Sequence, residues 1–303
     1  MSNTLAPSGI AVDLGGTKIS AARVTRGTVG DIIKVETDSN ASTDSQITAI
    51  CELIKKIGPS PRGGEGIGGT ADNIGVAVAG RVSKDGDWYA VNSEILTQID
   101  KVPLRKMLAQ RLGQDVTVEN DATAAALGEF ACGAGNNSNS FAYITVSTGV
   151  GGGIILDGRP VVSGSGLAGH IGFTTSRMQG DDCGSGRTNT VESIASGRAL
   201  SARATKLGHA GLSGKQVYDA HLSGAAWATQ LVSDSAAAIA ELSTNLKSVL
   251  DVDAAVIGGG VGLAEGYVEL VEVHLQSEPP LFRPKVHRAA LAENSALIGV
   301  LVR

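Results

Sequence analysis

Apolar residues run through 9–13, break at Gly15-Gly16-Thr17-Lys18 and resume over 19–24. That pattern predicts two strands joined at a hairpin turn. Residues 32–36 predict a third strand. Ile47, Ile50, Cys51, Ile54 and Ile57 recur at helical spacing and predict an amphipathic helix over 44–57. Segment 59–73 is glycine-rich, opens with two prolines and predicts an exposed loop. A buried strand follows at 74–79, a helix with proline at its start at 103–112, and a short strand at 116–118. Asn120 or Asp121 then caps an alanine-rich helix running to about 132.

From Phe141 the pattern repeats. A strand at 141–147 leads into Thr148-Gly149-Val150-Gly151-Gly152-Gly153, and another strand follows at 154–156. Strand, glycine turn and strand thus occur twice, at Asp13 and at Val146. The echo predicts two related α/β domains facing a cleft. Residues 225–250 predict a long helix, 254–257 a strand, 262–276 a helix, and 293–302 a last helix that crosses back to the first domain. The expected division is a small N-terminal domain, 1–120, joined by 291–303, and a large domain, 121–290.

A length of 303 residues suits about two domains. With 41 glycines and 3% aromatics, the chain favours tight turns over large aromatic surfaces. A net charge of −5 without blocks of like charge gives no basic footprint for nucleic acid. Cys51, Cys132 and Cys183 are far apart and odd in number, so a disulfide framework is not expected and a cytoplasmic setting is. Neither a secretory signal pattern nor an apolar run of about 18 residues is present, so no membrane partner is expected.

Four stretches carry candidate chemistry. Asp13, Gly15, Gly16, Thr17 and Lys18 place an acid, bare backbone, a hydroxyl and a cation together. Such a turn can receive phosphate oxygens, and Asp13 can hold Mg2+ through water. It lacks Walker A spacing, and the same letters also make a plain hairpin. Thr148, Gly149 and Gly151 form a second such turn. Gly258, Gly259 and Gly260 lie between a strand and a helix, where they either receive part of a nucleotide or simply turn the chain. Asp121, at a strand-to-helix junction, is either an N-cap or a general base. His209, His221, His274 and His287 show no ligand spacing, and Trp88 and Trp227 are read as packing residues.

Together these residues resemble the ROK family (repressors, open reading frames and sugar kinases) of the actin-like ATPase superfamily. The most specific stretches are Gly166-Leu-Ala-Gly-His170-Ile-Gly-Phe173 and Cys183-Gly-Ser185-Gly-Arg-Thr-Asn-Thr190-Val-Glu192. The resemblance extends over nearly the whole chain and is greatest to members acting on an N-acetylated hexosamine. It implies an α/β fold of two ribonuclease-H-like domains flanking a cleft, and a homodimer. It also implies transfer of a phosphoryl group from ATP, with Mg2+, to the 6-hydroxyl of N-acetyl-D-mannosamine, in sialic acid breakdown. By resemblance Asp121 takes the hydroxyl proton, Asn120 and Glu192 bind sugar hydroxyls, and Gly80 and Asn92 touch the sugar or its N-acetyl group. His170 stands where many family glucokinases carry Glu. The family's structural zinc uses one His and three Cys; the matching places here are Phe173, Cys183, Ser185 and Thr190. Only one ligand is of the right type, so no zinc is expected. Other hexose kinases and a non-catalytic sugar-binding regulator are the competing expectations. The first strand starts near residue 9, which leaves no expected room for the DNA-binding segment of the family's repressors.

Overall fold

In the computed structural model, which describes residues 6–38, 40–58, 73–91 and 98–302, the predicted opening hairpin is present. Strands β1 (Gly9–Leu14) and β2 (Lys18–Thr25) pair antiparallel, with Asp13 opposite Ser20. Strands β3 (Thr28–Val29) and β4 (Ile33–Glu36) pair with β2. Helix α1 (Thr43–Ile57) starts where the Ser42 side chain accepts a hydrogen bond from Ser45 N, and it buries Ile47, Ile50, Cys51 and Ile54. The expected loop falls almost wholly on 59–72, outside the described residues.

Strand β5 (Ile74–Val78) runs parallel to β1. A small hairpin, β6 (Arg81–Val82) and β7 (Trp88–Tyr89), was not anticipated. It buries Trp88 completely, and the indole donates to Ala79 O at 2.8 Å. Helix α2 (Leu104–Leu112) begins after Pro103, and β8 (Val116–Asn120) extends the sheet parallel to β5. Helix α3 spans Asp121–Cys132.

The second sheet repeats this plan. Strands β9 (Phe141–Val146) and β10 (Val150–Leu156) form an antiparallel hairpin, and β11 (Arg159–Pro160) pairs with β10. Helices α4 (Glu192–Ala195), α5 (Gly197–Lys206), α6 (Gly214–Leu222) and α7 (Ala226–Leu250) follow. Strand β12 (Ala254–Gly258) runs parallel to β9, α8 covers Tyr267–Leu275, and β13 (Lys285–Arg288) runs parallel to β12. The strand orders are β3-β2-β1-β5-β8 and β11-β10-β9-β12-β13. In each, one antiparallel hairpin sits beside two parallel strands, so the echo read from the glycine turns is an echo of topology.

Each sheet has its own core. Ile10, Val12, Leu14, Ile50 and Leu104 belong to one, and Ile144, Val146, Ile239 and Ile257 to the other. The chain divides into a first unit, Met1–Cys132 with Val162–Ala168 and Glu293–Arg303, and a second, Gly133–Val161 with Gly169–Ala292. Helix α3 therefore belongs to the first unit, and the boundary expected at 120 moves past it. The reason is packing against α9 (Ser295–Gly299), the helical core of the segment expected over 293–302. A Cβ on Gly299 would stand 1.6 Å from Ala124 O, and one on Gly128 2.1 Å from Ser295 O. Only bare backbone lets the two helices approach so closely. Among the described residues no helix is long and apolar enough to cross a membrane.

Candidate active site

In the first unit the register aligns Leu14 with Val78 and Val78 with Asn120. The carboxyl ends of parallel β1, β5 and β8 therefore lie side by side. Asp13, Gly80, Asn120 and Asp121 all sit along that edge, where open α/β sheets bind ligands. The turn carrying Gly15, Gly16 and Thr17 leaves from the same edge. Thr37 braces it, with its Oγ1 donating to Gly15 O at 2.9 Å and its amide to Thr17 O at 3.1 Å. Lys18 extends to Glu293, with Nζ 3.5 Å from Oε2, and Lys34 reaches the same oxygen at 2.8 Å.

The strand-to-helix junction separates two jobs that the sequence leaves joined. Asn120 Oδ1 accepts from Thr123 N at 2.9 Å, which is the N-cap bond of α3. Asn120 Nδ2 donates to Gly80 O at 2.7 Å and to Asp121 Oδ1 at 2.9 Å. Asn120 is thus the cap. Asp121 is the first helical residue, and its Oδ1 also accepts from Ala122 N at 2.8 Å.

Burial pushes the Asp121 carboxyl up to about 6, against the opposing pull of the Ala122 amide and the Asn120 side chain. Asp13 is pushed up to about 7, first by burial and then by the Asp121 charge, with Lys18 pulling the other way. Two carboxylates displaced this far on one sheet edge mark a site rather than a surface pair. Asn92 lies outside the described residues.

In the second unit the turn at 147–149 follows β9, and the 258–260 turn follows parallel β12. Val261 N and Gly262 N both donate to Val146 O, at 2.9 and 3.0 Å, which joins the two turns. Gly197 N donates to Ser147 O at 2.7 Å and Arg198 N to Thr148 O at 3.3 Å. These turns, the start of α5 and one side of α6 line a cavity of about 640 Å³. Ser147, Thr148, Arg198, Gly214, Tyr218 and Gly260 are among its walls. Its volume lies in the range that takes a nucleoside-sized ligand.

Two expected turn residues sit differently. Gly151 is inside β10, paired with Thr145, and Gly258 closes β12. The glycines at 151–153 read as a turn because glycine weakens strands, yet Gly152 serves packing. A Cβ there would stand 2.3 Å from Ile171 Cδ1. Glu192 opens α4, is buried, and its Oε2 accepts from Val150 N at 2.9 Å. Its Oε1 is 3.8 Å from Arg198 Nη2. The His170 ring stacks with Phe173 at 6.1 Å between centroids.

The ROK family model matches residues 9–302. The chain belongs to the ROK family. It is 37% identical over 293 residues to the N-acetylmannosamine kinase of Vibrio cholerae, covering 96% of each chain. It is 34% identical over 290 residues to that of Pasteurella multocida, covering 96% of this chain and 94% of the relative. A ROK family glucokinase from Streptomyces griseus, solved with glucose and AMPPNP, superposes with a TM-score of 0.78 at 29% identity. That match covers 97% of this chain and 98% of the glucokinase. The fold class is accordingly that of the family: α/β, with two ribonuclease-H-like domains of the actin-like ATPase kind.

The ROK zinc position does not fit zinc here. Phe173 has no lone pair to give. The Thr190 hydroxyl is buried and accepts from Ser193 N at 3.2 Å. Cys183 Sγ and Ser185 Oγ hydrogen-bond each other at 2.9 Å. One thiol remains where structural zinc takes four nitrogen and sulfur ligands. Among the described residues no group of three or more His, Cys, Asp or Glu is arranged to hold a metal ion.

Sequence reasoning missed most of the cavity's helical wall. Its signal is a serine cap followed by glycine, repeated at Ser196-Gly197 and Ser213-Gly214. Ser213 and Gln216 also complete a reciprocal capping box.

Proposed function

We propose that this ROK protein is an ATP-dependent kinase that phosphorylates N-acetyl-D-mannosamine on its 6-hydroxyl. The observation that carries the reading is Asp121, a half-buried carboxylate with its pKa pushed up to about 6 and freed from capping by Asn120. The substrate follows the names of the two kinases it resembles.

In this reading Asp121 Oδ2 takes the proton as the sugar's O6 forms its bond to the terminal phosphorus, while the bond from that phosphorus to ADP breaks. A base with a pKa near the working pH suits such a transfer. Phosphoryl transfer asks the protein chiefly for positioning and charge compensation. Asn120, itself tied to Gly80 O, holds Asp121, and Asn120, Gly80, Asn92, His170 and Glu192 are assigned to the sugar. Thr17, Lys18 and the glycines at 15 and 16 receive phosphate oxygens. The second unit's cavity, with Thr148, Gly149 and the 258–260 turn, takes the adenosine.

Asp13 suits Mg2+, which binds through one or two carboxylates plus substrate phosphates and supplies compensation for developing charge. Burial first, and the Asp121 charge second, raise the Asp13 pKa, and a divalent cation would favour its charged form. A cytoplasmic homodimer serving sialic acid breakdown completes the proposal.

The test is ADP release with N-acetylmannosamine, N-acetylglucosamine, mannose and glucose as acceptors. The expected result is the highest kcat/KM for N-acetylmannosamine, by about tenfold or more, the scale of a few specific contacts. Preference for glucose would overturn the substrate assignment, and no ADP release with any of the four would overturn the kinase assignment.

A further inference from the structure

Segment 174–191 makes a long irregular excursion between the 3-10 turn Ile171–Phe173 and α4. Its two ends are zipped together. Ser176 N donates to Asn189 O at 2.8 Å and Val191 N to Thr174 O at 3.0 Å, with a bridge between Thr175 and Thr190. Wherever 174–176 is fixed, the chain entering Glu192 is fixed too.

The anchor is on α7. Glu241, in the middle of that 25-residue helix, is 8% exposed. Its Oε2 accepts from Ser176 Oγ at 2.6 Å and its Oε1 from Arg177 N at 2.8 Å, with Arg177 Nε at 3.5 Å. Ser235, on the same helix, donates its hydroxyl to Ala195 O at 2.8 Å, the last residue of α4. Six residues along a helix span about 9 Å. Glu192 is therefore bracketed in sequence by two attachments to one rigid element, and its own Oε2 takes the Val150 amide. A buried carboxylate receiving bonds from a loop backbone and a side chain is a strong, directional tie.

We propose that Glu241 is a positioning residue for acceptor binding: it holds 174–191 in the place of a metal and thereby sets Glu192. This rests on the reading that Glu192 binds the acceptor sugar. It touches no reacting atom, so its loss weakens sugar binding more than chemistry and leaves the nucleotide alone.

The experiment measures KM for N-acetylmannosamine and for ATP, kcat, and sugar affinity by calorimetry. The variants are Glu241→Ala, Glu241→Gln, Ser176→Ala and Glu192→Gln. Glu241→Ala is expected to raise the sugar KM and Kd roughly tenfold, the effect of losing a hydrogen bond to a charged group. KM for ATP should stay within about twofold, as expected for an interaction confined to one substrate. Glu241→Gln keeps a carbonyl acceptor and should recover part of the sugar affinity. If Glu241→Ala does not fold, Ser176→Ala carries the test: it removes the bond to Glu241 and the one the hydroxyl accepts from Met178 N at 3.2 Å, with about a threefold rise expected.

A lowered melting temperature with unchanged sugar KM would make Glu241 merely structural and overturn the proposal, as would equal losses for sugar and ATP. Glu192→Gln separates the two readings. If it leaves sugar affinity intact, the assignment of Glu192 fails and this inference with it. If it weakens sugar binding while Glu241→Ala and Ser176→Ala do not, only the inference fails.

Discussion

Asp121→Asn is expected to lower kcat by about a thousandfold, within the range for loss of a general base. Sugar affinity should change by no more than a few-fold. The amide keeps the shape of the side chain and one oxygen to accept from Ala122 N, so α3 should begin in the same place. Asn120 Oδ1 makes the cap bond and is untouched by the change. What disappears is the proton acceptor. A transfer rate near that of the unchanged protein would remove Asp121 from the chemistry. A loss confined to KM would make it a binding group.

The second large effect concerns Asp13. Its pKa and that of Asp121 rise from 3.8 to about 7 and about 6. Between those limits the folded chain holds more protons than the unfolded one, so these two groups make stability fall as pH rises through about 4 to 7. Above that window both carboxylates are charged, and the folded state bears their burial and their repulsion. Asp13→Asn removes one charge. At pH 8 the variant should melt about 2 °C or more above the unchanged protein, as a gain of about 1 kcal/mol or more would produce in a chain of this size. The difference should shrink toward pH 4, where the native carboxyl is already neutral in the folded state. Turnover should collapse over the same range, because the charge that costs stability is the one assigned to the reaction. Equal or lower melting at pH 8 would show that Asp13 is not under electrostatic strain.

How much the sequence reveals depends on whether the signal is local. The turn at Asp13, the Ile-rich face of α1 and the carboxylate at Asp121 are legible because a few neighbouring residues determine them. The repeated glycine turns also carried the two-sheet plan. Strand β13 was not legible: Lys285, His287 and Arg288 are polar, and only pairing with β12 makes Lys285–Arg288 a strand. The β6–β7 hairpin exists because Trp88 has a buried place to go, which no periodicity announces. The sequence predicts helix from 262, yet α8 starts at Tyr267 after Gly266 turns the chain with a φ of 79°. At the site, the sequence named Asp121 but could not divide capping from catalysis, because the division depends on where β8 ends. Helices α5 and α6 escaped because their walls of serine, glycine and arginine look like ordinary surface until they enclose a cavity.

Asp121, a half-buried carboxylate, is assigned to work in its charged form. The most direct measurement is kcat/KM for N-acetylmannosamine across pH 4.5 to 9, at saturating ATP and Mg2+. An acid limb with an apparent pKa near 6 is expected, absent from the residual activity of Asp121→Asn. An activity flat down to pH 4.5, or the same limb in the variant, would contradict it.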